Sequence, residues 1–198
     1  RMVAQTIDEF GQIDILVNNA AMGTFNNADV ADMNLDNWHE TMAINLTGTM
    51  LCCREVLKYM IPRRSGNIIN VSSVAGISGV PKESSYSVSK WGVIGLTETL
   101  AIEAGKHNIR VNCISPGATR TQEFEDWVKG SAKDVGISYE EVMNKLTDNN
   151  ALQRIAETSE IAACIVFLAS DDSSAMTGHN LIASCGFHIT HPNMIHWV

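Results

Sequence analysis

Long apolar runs are missing from this 198-residue chain: the longest, such as 161–169, fall well short of the roughly 20 residues a membrane-spanning helix needs. No charged-then-apolar leader opens it either. Basic excess is absent too. With 22 Asp and Glu against 14 Lys and Arg, the formal charge is -8, which leaves no cationic stripe for a phosphate backbone to neutralise. Only 4 prolines and a 45% apolar content exclude a disordered or collagen-like chain. The five cysteines, Cys52, Cys53, Cys113, Cys164 and Cys185, form no Cys-x-x-Cys pair and sit mostly inside apolar runs. An odd number so placed fits reduced thiols better than a secreted disulfide framework. The expectation is a soluble, cytoplasmic protein of one globular domain over 1–198, without nucleic-acid or membrane partners.

What is present is an alternation. Aliphatic runs at Ile13–Val17, Asn67–Val71 and Ile109–Ile114, with a weaker one at Leu181–Ala183, read as buried strands. The gaps between them are long and helically patterned, as parallel crossovers require and hairpins do not. A long helix is expected over Asp36–Met60, ended by Pro62, and another over Ser84–His107. The polar stretch 118–157 carries a capping-box pattern at Ser138 and Glu141 and reads as a lid of short helices, with a further helix over Ser159–Ser170. This spacing argues an α/β fold with a βαβ sheet.

Ligands of open parallel sheets sit at the carboxyl ends of the strands. The unusual polar clusters fall there: Asn18-Asn19-Ala20, Ser72-Ser73 and Ser115-Pro116-Gly117. The helix beginning near Ser84 adds Tyr86 and Lys90, which share a helical face. Taken with Asn45 and with Thr121 following Pro116-Gly117, the order and spacing of these residues resemble the short-chain dehydrogenase/reductase family over essentially the whole chain. The resemblance implies a Rossmann-like parallel sheet with helices on both faces. It also implies an oxidoreductase that moves a hydride between NAD or NADP and an alcohol or ketone, and a homodimer or homotetramer assembled through the two long helices.

Each residue type has a chemical reason. A carbonyl being reduced gathers negative charge on oxygen, so it needs a proton donor, which Tyr86 supplies. An ammonium about 5 Å from the phenol, at an effective dielectric of about 20, favours phenolate by roughly 3 kcal/mol, or about two pKa units. Lys90 is spaced to do this, and Ser73 to hold the same substrate oxygen without charge. The family likeness gives Lys90 a second role on the nicotinamide ribose and gives Asn45 a proton-relaying water. It places Asn18 and Ala20 on the adenosine-ribose side, and Pro116, Gly117, Thr119 and Thr121 on the nicotinamide carboxamide.

Three departures from the family stand out. None of the 14 glycines forms the Gly-x-x-x-Gly-x-Gly turn that cradles a pyrophosphate, and the strands around it are missing from this chain. A piece of a longer reductase is therefore expected; the alternative is a truncated, catalytically silent protein of binding or regulatory role. Ala21 replaces the glycine that usually follows Asn-Asn-Ala, and Ala183-Ser184-Cys185-Gly186 stands where Val-Asp-Gly-Gly is usual. Cys185, His188, His191 and His196 meet no accepted ligand spacing, so no metal is expected. Phe124, Trp127, Val128 and Met143 hint at a moderately apolar substrate.

Overall fold

Aliphatic runs become strands and the patterned gaps become helices. In a computed structural model that describes residues 1–23 and 28–189, the chain runs α1 (Met2–Phe10), β1 (Ile15–Asn18), α2 (Leu35–Met42), α3 (Thr49–Arg63), β2 (Gly66–Val71), α4 (Ser84–Gly105) and β3 (Ile109–Pro116). It continues with β4 (Thr119–Arg120), α5 (Gln122–Val135), α6 (Tyr139–Thr147), β5 (Ala156–Glu157), α7 (Thr158–Ala169) and β6 (Asn180–Ala183). The main sheet has the order β1-β2-β3-β6. Strand β1 pairs in parallel with β2, and β2 with β3, so that Val17 faces Ile69 and Ile69 faces Asn112. This is the βαβ sheet that the alternation implies, and the Rossmann-like parallel arrangement expected from the family resemblance. The short strands β4 and β5 form a separate parallel pair.

Strands β2 and β3 are buried along nearly their whole length. Covering on both faces buries polar residues along with aliphatic ones: Asn67, Asn70 and Asn112 lie inside beside Ile68, Ile69 and Val111. Ile68, Ile109 and Val111 pack with Val3 of α1, Val56 and Met60 of α3, and Leu100 and Ala104 of α4. Each such side chain contributes about 2 kcal/mol by leaving water. Polar ties fix the return of the chain past α7. Asn67 Nδ2 donates to the carbonyls of Leu168 and Ala169, and the Arg110 guanidinium donates to those of Ser170, Ser173 and Met176.

Local signals set the helix ends. Asn34 accepts from the Asp36 N–H at 2.8 Å to start α2, and the Ser138/Glu141 capping box opens α6. Gly11 and Gly136 end α1 and α5 in the left-handed region. The long helix expected over Asp36–Met60 is instead two α-helices joined by a π-helical turn, Ala43–Gly48. It also runs through Pro62 to Arg63 before the left-handed Arg64 stops it, so the proline does not end the helix although it forgoes the N–H bond to the Lys58 carbonyl.

Contacts divide the chain into two units. One holds Arg1–Ser115 and Ile165–Leu181; the other holds Pro116–Cys164 and the chain from Ile182. The segment 118–157 falls in the second, where α5 and α6 share a small core of Val128, Ala132 and Val142. Among the described residues, no helix is long and apolar enough to cross a membrane.

Candidate active site

Where β2 ends, the chain is stitched to α4. The Ser72 N–H donates to Ile114 O, and its hydroxyl donates to Lys90 O at 2.8 Å. Ser73 follows in extended backbone and caps a single 3-10 turn, Val74–Gly76, by accepting the Ala75 N–H at 3.2 Å. Gly76 closes this turn against α4: a Cβ there would stand 2.8 Å from Lys90 O and 2.5 Å from Ser72 Oγ. The Ser73 hydroxyl acts on the phenol of Tyr86, which lies on the first turn of α4, and favours its ionised form. One turn later Lys90, 3% exposed, donates from Nζ to Val71 O at 2.9 Å, with Nζ 5.5 Å from the Tyr86 ring centre. Three of the expected residues are thus brought together at the carboxyl end of β2.

The electrostatics differ from the simple pairwise expectation. Burial pushes the Tyr86 phenol above its ordinary value; the Ser73 hydroxyl pulls it back, and the Glu83 carboxylate pushes it further up. Burial likewise pulls Lys90 down to about 8. A calculation that counts attraction alone, with Lys90 permanently charged and nothing desolvated, therefore gets the direction of the Tyr86 shift wrong. At neutral pH the phenol is held as an acid beside a mostly protonated lysine.

Asn45, 1% exposed, sits in the π-helical turn, a distortion frequent at functional sites. Its side chain makes three hydrogen bonds. Oδ1 accepts the Met22 N–H at 2.7 Å, and Nδ2 donates to Met22 O and to Ser89 Oγ. It clamps the segment after β1 to α4, using both Nδ2 hydrogens and one of the two lone pairs of Oδ1. Asn18 also turns inward: Nδ2 donates to Asn70 Oδ1 at 2.9 Å and to Cys53 Sγ at 3.3 Å. Asn70 in turn donates to Thr97 Oγ1. The two bonds of Asn18 use its Nδ2 hydrogens, and Ala20 is exposed beyond it. Burial pushes the Cys53 thiol up to about 12, which marks a structural thiol rather than a nucleophile.

The second unit carries the other expected residues. A Cβ on Gly117 would lie 2.9 Å from Ser184 Cα, so this glycine answers to its own chain. The Thr119 hydroxyl donates to Gly117 O, just after Pro116. Thr121 Oγ1 caps α5 by accepting the Phe124 N–H at 3.1 Å, which leaves its proton for another acceptor. Val128 is fully buried in the α5–α6 core with Phe124 and Met143 packed on it, so of the apolar candidates Trp127 is the exposed one. The Ser184 hydroxyl pairs with His188 Nδ1 at 2.8 Å. Among the described residues, no group of three or more His, Cys, Asp or Glu side chains could hold a metal; His191 and His196 lie outside the described residues.

Three participants escape the sequence reading. Asn70, a polar residue inside an aliphatic run, is the signal that could have revealed the interior network. Gly76 carries no mark that separates it from other loop glycines, and Glu83 looks like an ordinary helix-start carboxylate.

A family model described as enoyl-(acyl carrier protein) reductase matches residues 1–188. Among similar proteins, trans-4-hydroxycyclohexanecarboxylate dehydrogenase of Sinomonas cyclohexanicum is 39% identical over 93% of this chain and 64% of its own length. A short chain dehydrogenase/reductase of Aspergillus oryzae is 35% identical over 95% of this chain and 69% of its own. This chain thus spans about two thirds of the length of these curated relatives. The solved structure of NAD+-bound xylitol dehydrogenase superposes with a TM-score of 0.85 at 36% identity, covering 93% of this chain and 73% of that one.

Gly76→Ala tests the close approach on which the Ser73 turn depends. A methyl between two backbones forces the turn off α4, so a loss of about 1–3 kcal/mol is expected in a denaturant melt. An unchanged midpoint would contradict the approach.

Proposed function

The chain belongs to the short-chain dehydrogenase/reductase family, and on that premise we propose that it interconverts an alcohol and a ketone, with NAD or NADP as the hydride partner. The observation that carries this is the Tyr86 phenol, acted on by the Ser73 hydroxyl and one helical turn from a buried Lys90 anchored on Val71 O. A bound nicotinamide supplies or accepts the hydride. The donor set fits such a cofactor. Lys90 has three N–H groups and gives one to Val71, which leaves two for a ribose diol. Thr121 keeps a hydroxyl proton for a carboxamide oxygen. Pro116, Gly117 and Thr119 would border the same group through their backbone, and Asn18 and Ala20 would border the adenosine ribose.

In the reduction direction, Ser73 and Tyr86 both bind the carbonyl oxygen. The Ser73 hydroxyl orients it, and the Tyr86 phenol, kept protonated by burial, passes its proton to the oxygen as charge develops there. In the reverse direction the phenolate takes the alcohol proton, and the nearby Lys90 ammonium stabilises the anion. Asn45 serves in part by fixing the Met22 segment through its side chain, and the remaining lone pair of its Oδ1 would hold a relaying water. The segment 118–157, as α5 and α6, is suited to act as a lid within one partial Rossmann-like domain.

Small secondary alcohols are the substrate class that suits this site, in keeping with the cyclohexane and xylitol chemistry in the names of similar proteins. Exposed apolar residues on α3 and α4, Leu51, Tyr59, Val88 and Trp91, support a homodimer or homotetramer formed through these helices. Five free cysteines support a reducing, cytoplasmic setting.

Two outcomes test the assignment in the full-length protein. Tyr86→Phe removes the transferable proton while keeping the ring, so kcat should fall at least about 100-fold with cofactor binding retained; undiminished turnover would refute the role. The pH response has a definite sign. Raised above its ordinary value, the Tyr86 phenol stays protonated through neutrality, so carbonyl reduction should be flat there while alcohol oxidation climbs with pH. Because Lys90 loses its proton near 8, cofactor KM should begin to rise above that pH. Oxidation that declines from pH 6 to 8 would contradict the account.

A further inference from the structure

The segment 116–121, which borders the nicotinamide in the proposed reading, is tied down from its other side at a single residue. Alternate residues of an extended chain point to opposite sides. Thr119 and Arg120 form β4, and Thr121 continues it in extended backbone at φ -114° and ψ 168°. The Arg120 side chain therefore leaves the chain opposite to those of Thr119 and Thr121.

Three elements meet that guanidinium. Arg120 stands opposite Glu157 in the β4–β5 pair, and its Nε donates to the Glu157 carboxylate at 3.1 Å. Its Nη1 donates to Glu125 on the first turn of α5 and lies 3.5 Å from the hydroxyl oxygen of Tyr139, the first residue of α6. Tyr139 closes the ring by donating to Glu125 Oε2 at 2.8 Å. The Tyr139 hydroxyl, and Arg120 after it, hold the Glu125 carboxyl below its ordinary value. A lone surface ion pair contributes little, but a fork-shaped cation shared by several acceptors fixes geometry. The apolar core that α5 and α6 share holds the two helices to one another; the polar ring holds them to β4.

We propose that Arg120 is a positioning residue for the cofactor: by holding β4 against α5, α6 and β5, it fixes the direction in which Thr121 presents its hydroxyl to the nicotinamide carboxamide. This rests on the oxidoreductase assignment and adds to it a residue that acts through Thr121 rather than on the reacting atoms. The Thr121 oxygen is already committed to the Phe124 N–H at 3.1 Å. Where its O–H can point thus depends on how the strand enters α5, and the ring of Arg120, Glu125 and Tyr139 sets that entry. An ion-pair cluster that merely stabilised the second unit would not distinguish one end of the cofactor from the other.

The test measures, by calorimetric titration of the full-length protein, the binding of NADH and of ADP-ribose, which lacks the nicotinamide; NADPH and the phosphorylated ADP-ribose replace them if the enzyme uses NADP. Arg120→Met keeps the apolar stem and removes the fork. It should weaken binding of the complete dinucleotide about fivefold or more, the order of one lost hydrogen bond, and leave ADP-ribose within about twofold. Cofactor KM should rise by more than kcat falls. Glu157→Ala and Tyr139→Phe each cut one arm of the ring and should each give a smaller loss confined to the dinucleotide, so they carry the test if Arg120→Met does not fold. Equal losses for both ligands, or no loss in any variant, overturn the positioning role while leaving the oxidoreductase assignment in place. A wild type that binds neither nucleotide and reduces no ketone overturns that assignment, and this proposal with it.

Discussion

The ammonium of a buried lysine must find an acceptor, and Lys90 finds one in the carbonyl of Val71, the last residue of β2. That bond sets the distance between the end of the strand and the second turn of α4. The Ser72 hydroxyl reinforces it by donating to the Lys90 carbonyl, and Gly76 permits the intervening turn to lie against the same backbone. Ser73 and Tyr86 then face one another because strand end, turn and helix are already held. The chemistry is thus a consequence of how a buried charge is satisfied, and the depressed proton affinity of Lys90 is the cost of the same burial.

Amides secure the remainder of the first unit's rim from beneath. Asn70 sits fully buried in β2 and links Asn18 at the end of β1 to Thr97 of α4. Asn45 does the same for Met22, gripping both its backbone groups while reaching Ser89. Such networks stabilise when nearly every member is paired. Rigidity of this kind is what a site needs if it is to hold a substrate oxygen at hydrogen-bond distance from two hydroxyls without reorganising as charge develops.

Much of this is legible in the sequence. The aliphatic runs give β1, β2, β3 and β6 to within a few residues, because short runs rich in Ile, Val and Leu separated by long helical patterns mark strands whether wholly buried, as β2 and β3, or partly exposed, as β1 and β6. Ser73, Tyr86 and Lys90 are legible because helical periodicity ties Tyr86 to Lys90 and the strand end supplies Ser73. The interruption of the long helix is not, since Ala43–Gly48 contains no proline and its π turn arises from the tertiary demands on Asn45. The direction in which Asn18 points is hidden for a similar reason: an asparagine after a strand serves equally as a turn former, a ligand contact or an interior donor. The phenol's proton affinity depends on desolvation, a property of the folded environment that spacing does not encode.

The most direct test is a crystal structure of the full-length protein with its nicotinamide cofactor bound. Lys90 Nζ should lie within hydrogen-bond distance of Val71 O, with the Ser73 and Tyr86 hydroxyls converging on one point beside the nicotinamide ring. A Lys90 side chain directed into solvent, or a Tyr86 ring turned away from Ser73, would contradict the account.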